Sequence, residues 1–126
     1  MTIKRMELFD LVEVLKKMKT IECKSIQIKY NIIKFEKILK AEMEIANEQL
    51  GEISQAYGER NSNGELIFNE GGGVKIDKKN TISAQEAVEE FYGCVLQIPD
   101  FYFSLEELEI FNLDWVEVEV LYKFIK

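Results

Sequence analysis

The chain contains no histidine, a single proline at Pro99, and two cysteines, Cys23 and Cys94, with no CxxC pairing. Without histidine there is no Ser–His or Cys–His nucleophile pair, and the commonest metal ligand and near-neutral general base are gone. The isolated thiols give no zinc-site spacing and read as reduced, partly buried cysteines rather than as a disulfide. No apolar run approaches the roughly 20 residues needed to cross a bilayer. The opening stretch, M-T-I-K-R-M-E-L-F-D-L-V, places acids inside what would be the apolar region of a secretory signal, so a cytoplasmic location and no membrane partner are expected. Bases are scarce after residue 40: residues 41–126 hold six Lys/Arg against eighteen Asp/Glu, a balance of −12. Residues 1–40 hold ten against five, a balance of +5, within a net charge of −7. Duplex binding draws on counterion release from a concentrated basic surface, so nucleic acid is not the expected partner. The polarity fits self-association, the basic start of one copy meeting the acidic end of another; two solvated faces of opposite sign are the plainer alternative.

What is present describes one globular domain, residues 1–126, with 47% hydrophobic and 31% charged residues. Leu8, Leu11, Val12, Leu15 and Met18 recur at helical spacing between about Met6 and Met18, and Lys16, Lys17 and Lys19 suit the helix C-terminus. The alternation S-I-Q-I-K-Y from Ser25 to Tyr30 fits a strand, yet Ile28 also begins the strongest periodic series in the chain. Ile28, Ile32, Phe35, Leu39, Met43, Ala46, Leu50, Ile53 and Tyr57 recur at a mean spacing of about 3.6, one apolar stripe on a helix over about 26–58. At roughly 1.5 Å per residue such a helix is about 45 Å long, against about 36 Å for a compact domain of this size. Either Gly51 permits a bend or a second copy covers the overhang, so a homo-oligomer, dimer or larger, is expected.

Beyond the helix, E-L-I-F and V-K-I-D alternate around G-G-G, which predicts a β-hairpin over about 65–77, Glu65–Phe68 pairing with Val74–Asp77. Ser83 with Glu86 reads as a capping box for a helix ending at Gly93, and Val95–Ile98 reads as extended. Near the C-terminus Ser104 with Glu107, and Asp114 with Glu117, form two more boxes, the second opening a helix from Trp115 to about Ile125. Helix starts and solvated faces thereby account for most of the six acidic residues between Ser104 and Ile125. The expected fold class is α+β, mostly helical, with one long helix, a short β-hairpin and shorter capped C-terminal helices over about 83–126.

The stretches Y-G-E-R-N-S-N-G, Tyr57 to Gly64, and S-L-E-E-L-E…N-L-D-W-V-E-V-E-V-L, Ser104 to Leu121, carry a resemblance. With the layout around them they resemble a family of small proteins, a domain of unknown function, from phages and prophages of Gram-positive bacteria. The likeness covers most of the chain from about Ser25. The family favours Thr-Pro where Asp114-Trp115 stands here; both pairs cap and start a helix. The resemblance implies a phage or prophage origin and a place in the host cytosol. It implies no activity.

Candidates for chemistry are few. Glu44, Glu48 and Glu52, with Glu42 beside them, share a helix face beside the apolar stripe and read as water-facing; no metal, cofactor or catalytic residue is assigned, and an enzyme is not expected. Gly71, Gly72 and Gly73 with Lys75 could form an anion nest, although the strand-like V-K-I-D that follows favours a hairpin turn over a phosphate loop. Phe101, Tyr102 and Phe103 with Trp115 are candidates for binding a partner, weighed against core packing of the alternating phenylalanines. Two functions of different class follow. One is a non-enzymatic interaction or self-assembling protein with a host or phage protein partner, in one form an inhibitor of a host system. The other is a small-ligand or nucleotide-binding protein using the Gly71–Lys79 loop.

Overall fold

The structure is a computed structural model and describes residues 1–126. It is a mostly helical α+β fold whose internal contacts form two compact units, Met1–Met43 with Val95–Lys126, and Glu44–Cys94.

In the first unit, strand β1, Thr2–Lys4, pairs antiparallel with β2, Val95–Gln97, placing Ile3 opposite Leu96. Both strands alternate exposed, buried, exposed, so the pair turns one apolar face to the core. The terminal ammonium holds this edge by donating to the Ile98 carbonyl at 3.0 Å and to Asp100 Oδ1 at 2.8 Å. Helix α1, Arg5–Lys19, follows without a loop, and the Glu7 carboxylate closes its first turn by accepting from the Lys4 N–H at 2.7 Å. Its buried stripe is Leu8, Leu11, Val14, Leu15 and Met18, with Val12 half-buried at the margin. Truncating any one of these leucines to alanine should cost about 2–5 kcal/mol, as core deletions of that size do.

Helix α2, Ile26–Tyr57, contributes to both units. The alternation from Ser25 resolves as helix: Ser25 Oγ accepts from the Ile28 N–H at 3.3 Å and starts the first turn. The helix runs unbroken through Gly51 for 32 residues, about 48 Å at roughly 1.5 Å per residue. Its apolar stripe is nevertheless covered. In the first unit Ile32, Phe35 and Leu39 are buried and Ile28 and Met43 half-buried; in the second, Ala46 is buried and Leu50, Ile53 and Tyr57 half-buried. The expected bare overhang is absent, because each unit covers its own part of the stripe.

Phe35 anchors an aromatic cluster. Phe101 stacks on it at 4.5 Å with rings 2° from parallel, Phe103 meets it edge-on at 5.7 Å, and Phe124 lies at 5.0 Å. Backbone bonds from the Phe103 N–H to the Phe124 carbonyl, 2.6 Å, and from the Lys126 N–H to the Phe103 carbonyl, 2.9 Å, tie the C-terminus to this layer. Both predicted C-terminal boxes form: Ser104 with Glu107 opens α4, Leu105–Glu109, and Asp114 with Glu117 opens α5, Trp115–Leu121. Asn112, at φ 47°, makes the reversal between them, a left-handed conformation that asparagine tolerates better than most residues. Helix α5 ends four residues sooner than its pattern suggests and continues as a 3-10 turn, Tyr122–Phe124, which drives Phe124 into the core. Glu117 also accepts from Lys17 at 2.6 Å, pinning α5 to α1.

The second unit contains the predicted hairpin inside a larger construction. Segments 57–61, 65–69 and 73–77 form a closed triangle of backbone pairings. Glu59 N–H donates to the Lys75 carbonyl, Lys75 N–H to that of Ile67, and Ile67 N–H to that of Glu59, at 2.7, 2.9 and 2.9 Å. Asn61, Asn69 and Asp77, each eight residues from the next, donate their N–H groups to the carbonyls of Glu65, Gly73 and Tyr57. Each of these residues also begins a turn: its carbonyl accepts from Gly64, Gly72 and Asn80 in the same order. Gly64 and Gly72 take φ of 80° and 91° there, which only glycine adopts readily. Gly58, Leu66 and Val74 are the matching inward positions, and there is room for two side chains, not three. A Cβ on Gly58 would lie 2.6 Å from Leu66 Cδ2, 2.6 Å from the Ser54 carbonyl oxygen and 2.8 Å from Val74 Cγ1.

Asp77 accepts from the Lys79 N–H at 3.1 Å and caps a 3-10 turn, Lys78–Asn80, that runs directly into α3, Thr81–Gly93. The helix therefore begins at Thr81, and Ser83 sits inside it rather than capping it with Glu86. Ala84 and Phe91 are the buried residues of α3, which ends at Gly93 as its sequence implies.

Candidate functional site

Within the first unit, α1 and α2 enclose a groove of about 570 Å³. Val12 and Leu15 from α1, with Ile33, Leu39 and Met43 from α2, line it with apolar surface, and Lys16, Lys19, Lys37 and Lys40 stand along it. Helical spacing produces this arrangement. Positions 12, 15, 16 and 19 share one face of α1, and 33, 36, 37, 40 and 43 share one face of α2, each recurring at three or four residues. The chain Thr20–Ser25 returns α2 alongside α1. Glu36 is the single acid on the lining, and it pairs with Lys19 at 3.2 Å, bridging the two helices. Lys16 pairs with Glu13 at 3.3 Å, while Lys37 and Lys40 belong to no ion pair. The groove thus carries a surplus of positive charge above an apolar floor. What the lining offers is apolar surface and lysine ammonium groups, with Glu36 as its one carboxylate.

A second surface of the same unit has the opposite sign. Glu7 and Asp10 of α1, with Val116, Glu119 and Val120 of α5 and Tyr122 and Phe124 just beyond it, line a cleft of about 600 Å³. Its one base, Lys123, pairs with Glu7 at 3.0 Å. Around this cleft α5 exposes Trp115 at 92% and Val116 at 67%, and the turn that follows it exposes Tyr122 at 75%. Such apolar exposure is unusual for an aromatic at the start of a helix, since tryptophan buries more area than any other side chain when it can.

The four aromatic candidates are divided by the fold. Phe101 and Phe103, rings 5.1 Å apart, belong to the Phe35 cluster, and Phe103 is fully buried. Tyr102 is exposed, with Lys126 Nζ 5.1 Å above its ring. Trp115 stands on the surface of α5. Gly71–Gly73 form the turn after Asn69, where the Gly72 N–H is already donated to the Asn69 carbonyl at 2.9 Å. Lys75 pairs with Glu59 at 3.3 Å. Glu44, Glu48 and Glu52 are exposed on α2. Cys23 is half-buried and Cys94 exposed, and the two are not joined in a disulfide.

The lysine groove escapes a residue-by-residue reading because Lys16 and Lys19 look like helix-end cations and Lys37 and Lys40 like a solvated face. The available signal was the +5 balance of residues 1–40 together with i, i+3 lysine pairs on both helices. No helix is long and apolar enough to cross a membrane. Comparison with protein-family models, with curated proteins and with solved structures finds no match.

Proposed function

We propose that this is a non-enzymatic protein-interaction protein, of phage or prophage type, whose receptor surface is the α1–α2 groove. Its ligand is an acidic polypeptide segment with apolar side chains at helical spacing. The observation that carries this reading is the combination of a five-residue apolar floor with four lysines, two of them without an acidic partner. Lysine heads attract carboxylates and reach water along flexible stems, while the floor takes the apolar side of an amphipathic helix. The volume lies in the range of sites that hold several side chains. Phosphates would answer the same lysines, but the apolar floor gives a nucleic-acid backbone nothing to bind, whereas it takes the apolar side of an amphipathic acidic helix. In the cytosol of a host, such a groove would engage an acidic region of a host protein, as an inhibitor, or of another phage protein.

The test is amide and methyl NMR of the full chain, titrated with designed amphipathic helical peptides of net charge about −4, their basic counterparts, and a short DNA duplex. Perturbations from the acidic peptides alone, centred on Val12, Ile33, Leu39 and Met43, are expected. Shifts confined to other residues, or produced as strongly by the basic peptides or by DNA, would remove the proposal.

A further inference from the structure

We infer that one occupant of the lysine groove is the C-terminal surface of a second copy of this chain, docked head to tail through α5. The inference rests on the binding role just proposed for the groove, and adds to it a partner. Three observations lead to it. The first is charge. On α5 and its start, Asp114 and Glu119 are exposed beside Trp115, Val116, Val118 and Tyr122, and the two bases at hand, Lys17 and Lys123, are taken by Glu117 and Glu7. That surface is acidic and apolar; the groove is basic and apolar, with Lys37 and Lys40 unpaired. The second is spacing. Trp115, Val118, Glu119 and Tyr122 recur at three, one and three residues, a single helical face that presents two aromatic rings either side of a carboxylate. The third is size. Trp115–Leu121 is about 10 Å long at roughly 1.5 Å per residue, and the groove face from Ile33 to Met43 about 15 Å by the same rise, so the helix fits within it.

The two surfaces lie on different sides of α1. Lys16 and Lys19 belong to the groove, and Glu7 and Asp10 to the acidic cleft with α5. A copy that donates its α5 therefore keeps its own groove open, and one that receives keeps its α5 free. Contacts of this kind are heterologous and propagate, as a ring if the rotation closes and as a filament if it does not. Two aromatic side chains of about 150–250 Å² each, with two valines, bury well under the about 800 Å² per partner of a standard stable interface. The association is accordingly weak, concentration-dependent and salt-sensitive, since its charges sit at a solvated rim where screening acts within about 8 Å at physiological ionic strength.

The experiment is sedimentation velocity with the full chain and two variants, Lys37→Glu/Lys40→Glu in the groove and Trp115→Ala/Tyr122→Ala on the helix. All four positions are exposed, so both variants are expected to keep the wild-type circular dichroism. Wild type is expected to gain mass with concentration and to lose it as salt rises. Each variant alone should associate at least tenfold more weakly. Mixed, they should form a one-to-one dimer that grows no further, because one supplies an intact α5 and the other an intact groove. A wild-type chain that stays monomeric to millimolar concentration at low salt, or variants that associate as the wild type does, would overturn the inference, as would failure of the mixture to pair. Such a result leaves the groove standing as a receptor for another protein if acidic peptides still perturb Val12 and Ile33. If those shifts are also missing, both readings fall.

Discussion

Adding one methyl group at Gly58 tests the triangular packing of the second unit directly. The new Cβ of Gly58→Ala would lie 2.6 Å from Leu66 Cδ2, 2.6 Å from the Ser54 carbonyl oxygen and 2.8 Å from Val74 Cγ1. The leucine can rotate, but the carbonyl is the backbone of α2 and accepts the Gly58 N–H at 2.9 Å, so relief requires moving the helix end or breaking that bond. Overpacking of this kind costs about 1–3 kcal/mol, and a lost buried hydrogen bond about 0.5–1.5 more, so a destabilisation of about 2–4 kcal/mol is expected. Gly51→Ala is the internal control. It lies in α2 with nothing within 4 Å of the added atom, and alanine there should stabilise by about 0.5–1 kcal/mol through better helix propensity. Urea unfolding followed by circular dichroism measures both, read as opposite shifts of the midpoint with little change of slope. A Gly58→Ala protein as stable as wild type would refute the convergence of Gly58, Leu66 and Val74.

Three further outcomes are expected. Glu117→Ala should cost about 1–2 kcal/mol by removing the side-chain half of the α5 capping box, the acceptor of the Asp114 N–H, together with the Lys17 pair, while Glu117→Gln, which can still accept from the Asp114 N–H, should cost less than about 1 kcal/mol for the half-exposed Lys17 ion pair; equal losses would mean that this acceptor contributes nothing. Stability should fall in acid. The Met1 ammonium holds the Asp100 carboxyl low and the Glu117 N–H does the same for Asp114; at Glu7 partial burial pulls upward but is outweighed by the Lys4 N–H and Lys123. All three carboxyls are lowered on folding, so their contribution is complete above about pH 4.5 and is lost as pH falls through the folded values; a urea midpoint that stays level from pH 5 to 2 would contradict this. Nucleoside triphosphates with magnesium should leave the melting temperature unchanged, because the Gly71–Gly73 turn spends the Gly72 N–H on Asn69 and Lys75 is paired with Glu59; reproducible stabilisation would favour nucleotide binding at that loop.

Much of the fold was legible where the signal is local. The stripe from Ile28 to Tyr57 declares a helix because 3.6-residue periodicity persists over about eight turns, and the boxes at Ser104 and Asp114 each need only four consecutive residues. The Ser83 box failed although its residues are equally apt, since the Asp77-capped turn upstream had already begun the helix. Pairing of Thr2–Lys4 with Val95–Gln97 joins three-residue strands from opposite ends of the chain, too short to announce themselves. The triangle left a trace in the eight-residue spacing of Asn61, Asn69 and Asp77, but closure depends on three segments meeting at once, with Gly58 making the space. The groove was the least legible part. Its lysines become a site only when two helices lie side by side, and neither helix by itself says which of its charged residues will face the other.

Photo-crosslinking from position 115 gives the most direct test of the groove as a docking surface. Trp115 is replaced by a benzophenone amino acid, labelled chain is mixed with unlabelled wild type, and the adducts are mapped by mass spectrometry. The account predicts links between copies, falling on Val12–Lys19 and Ile33–Met43. Links confined within one copy, or falling between copies outside those two segments, would contradict it.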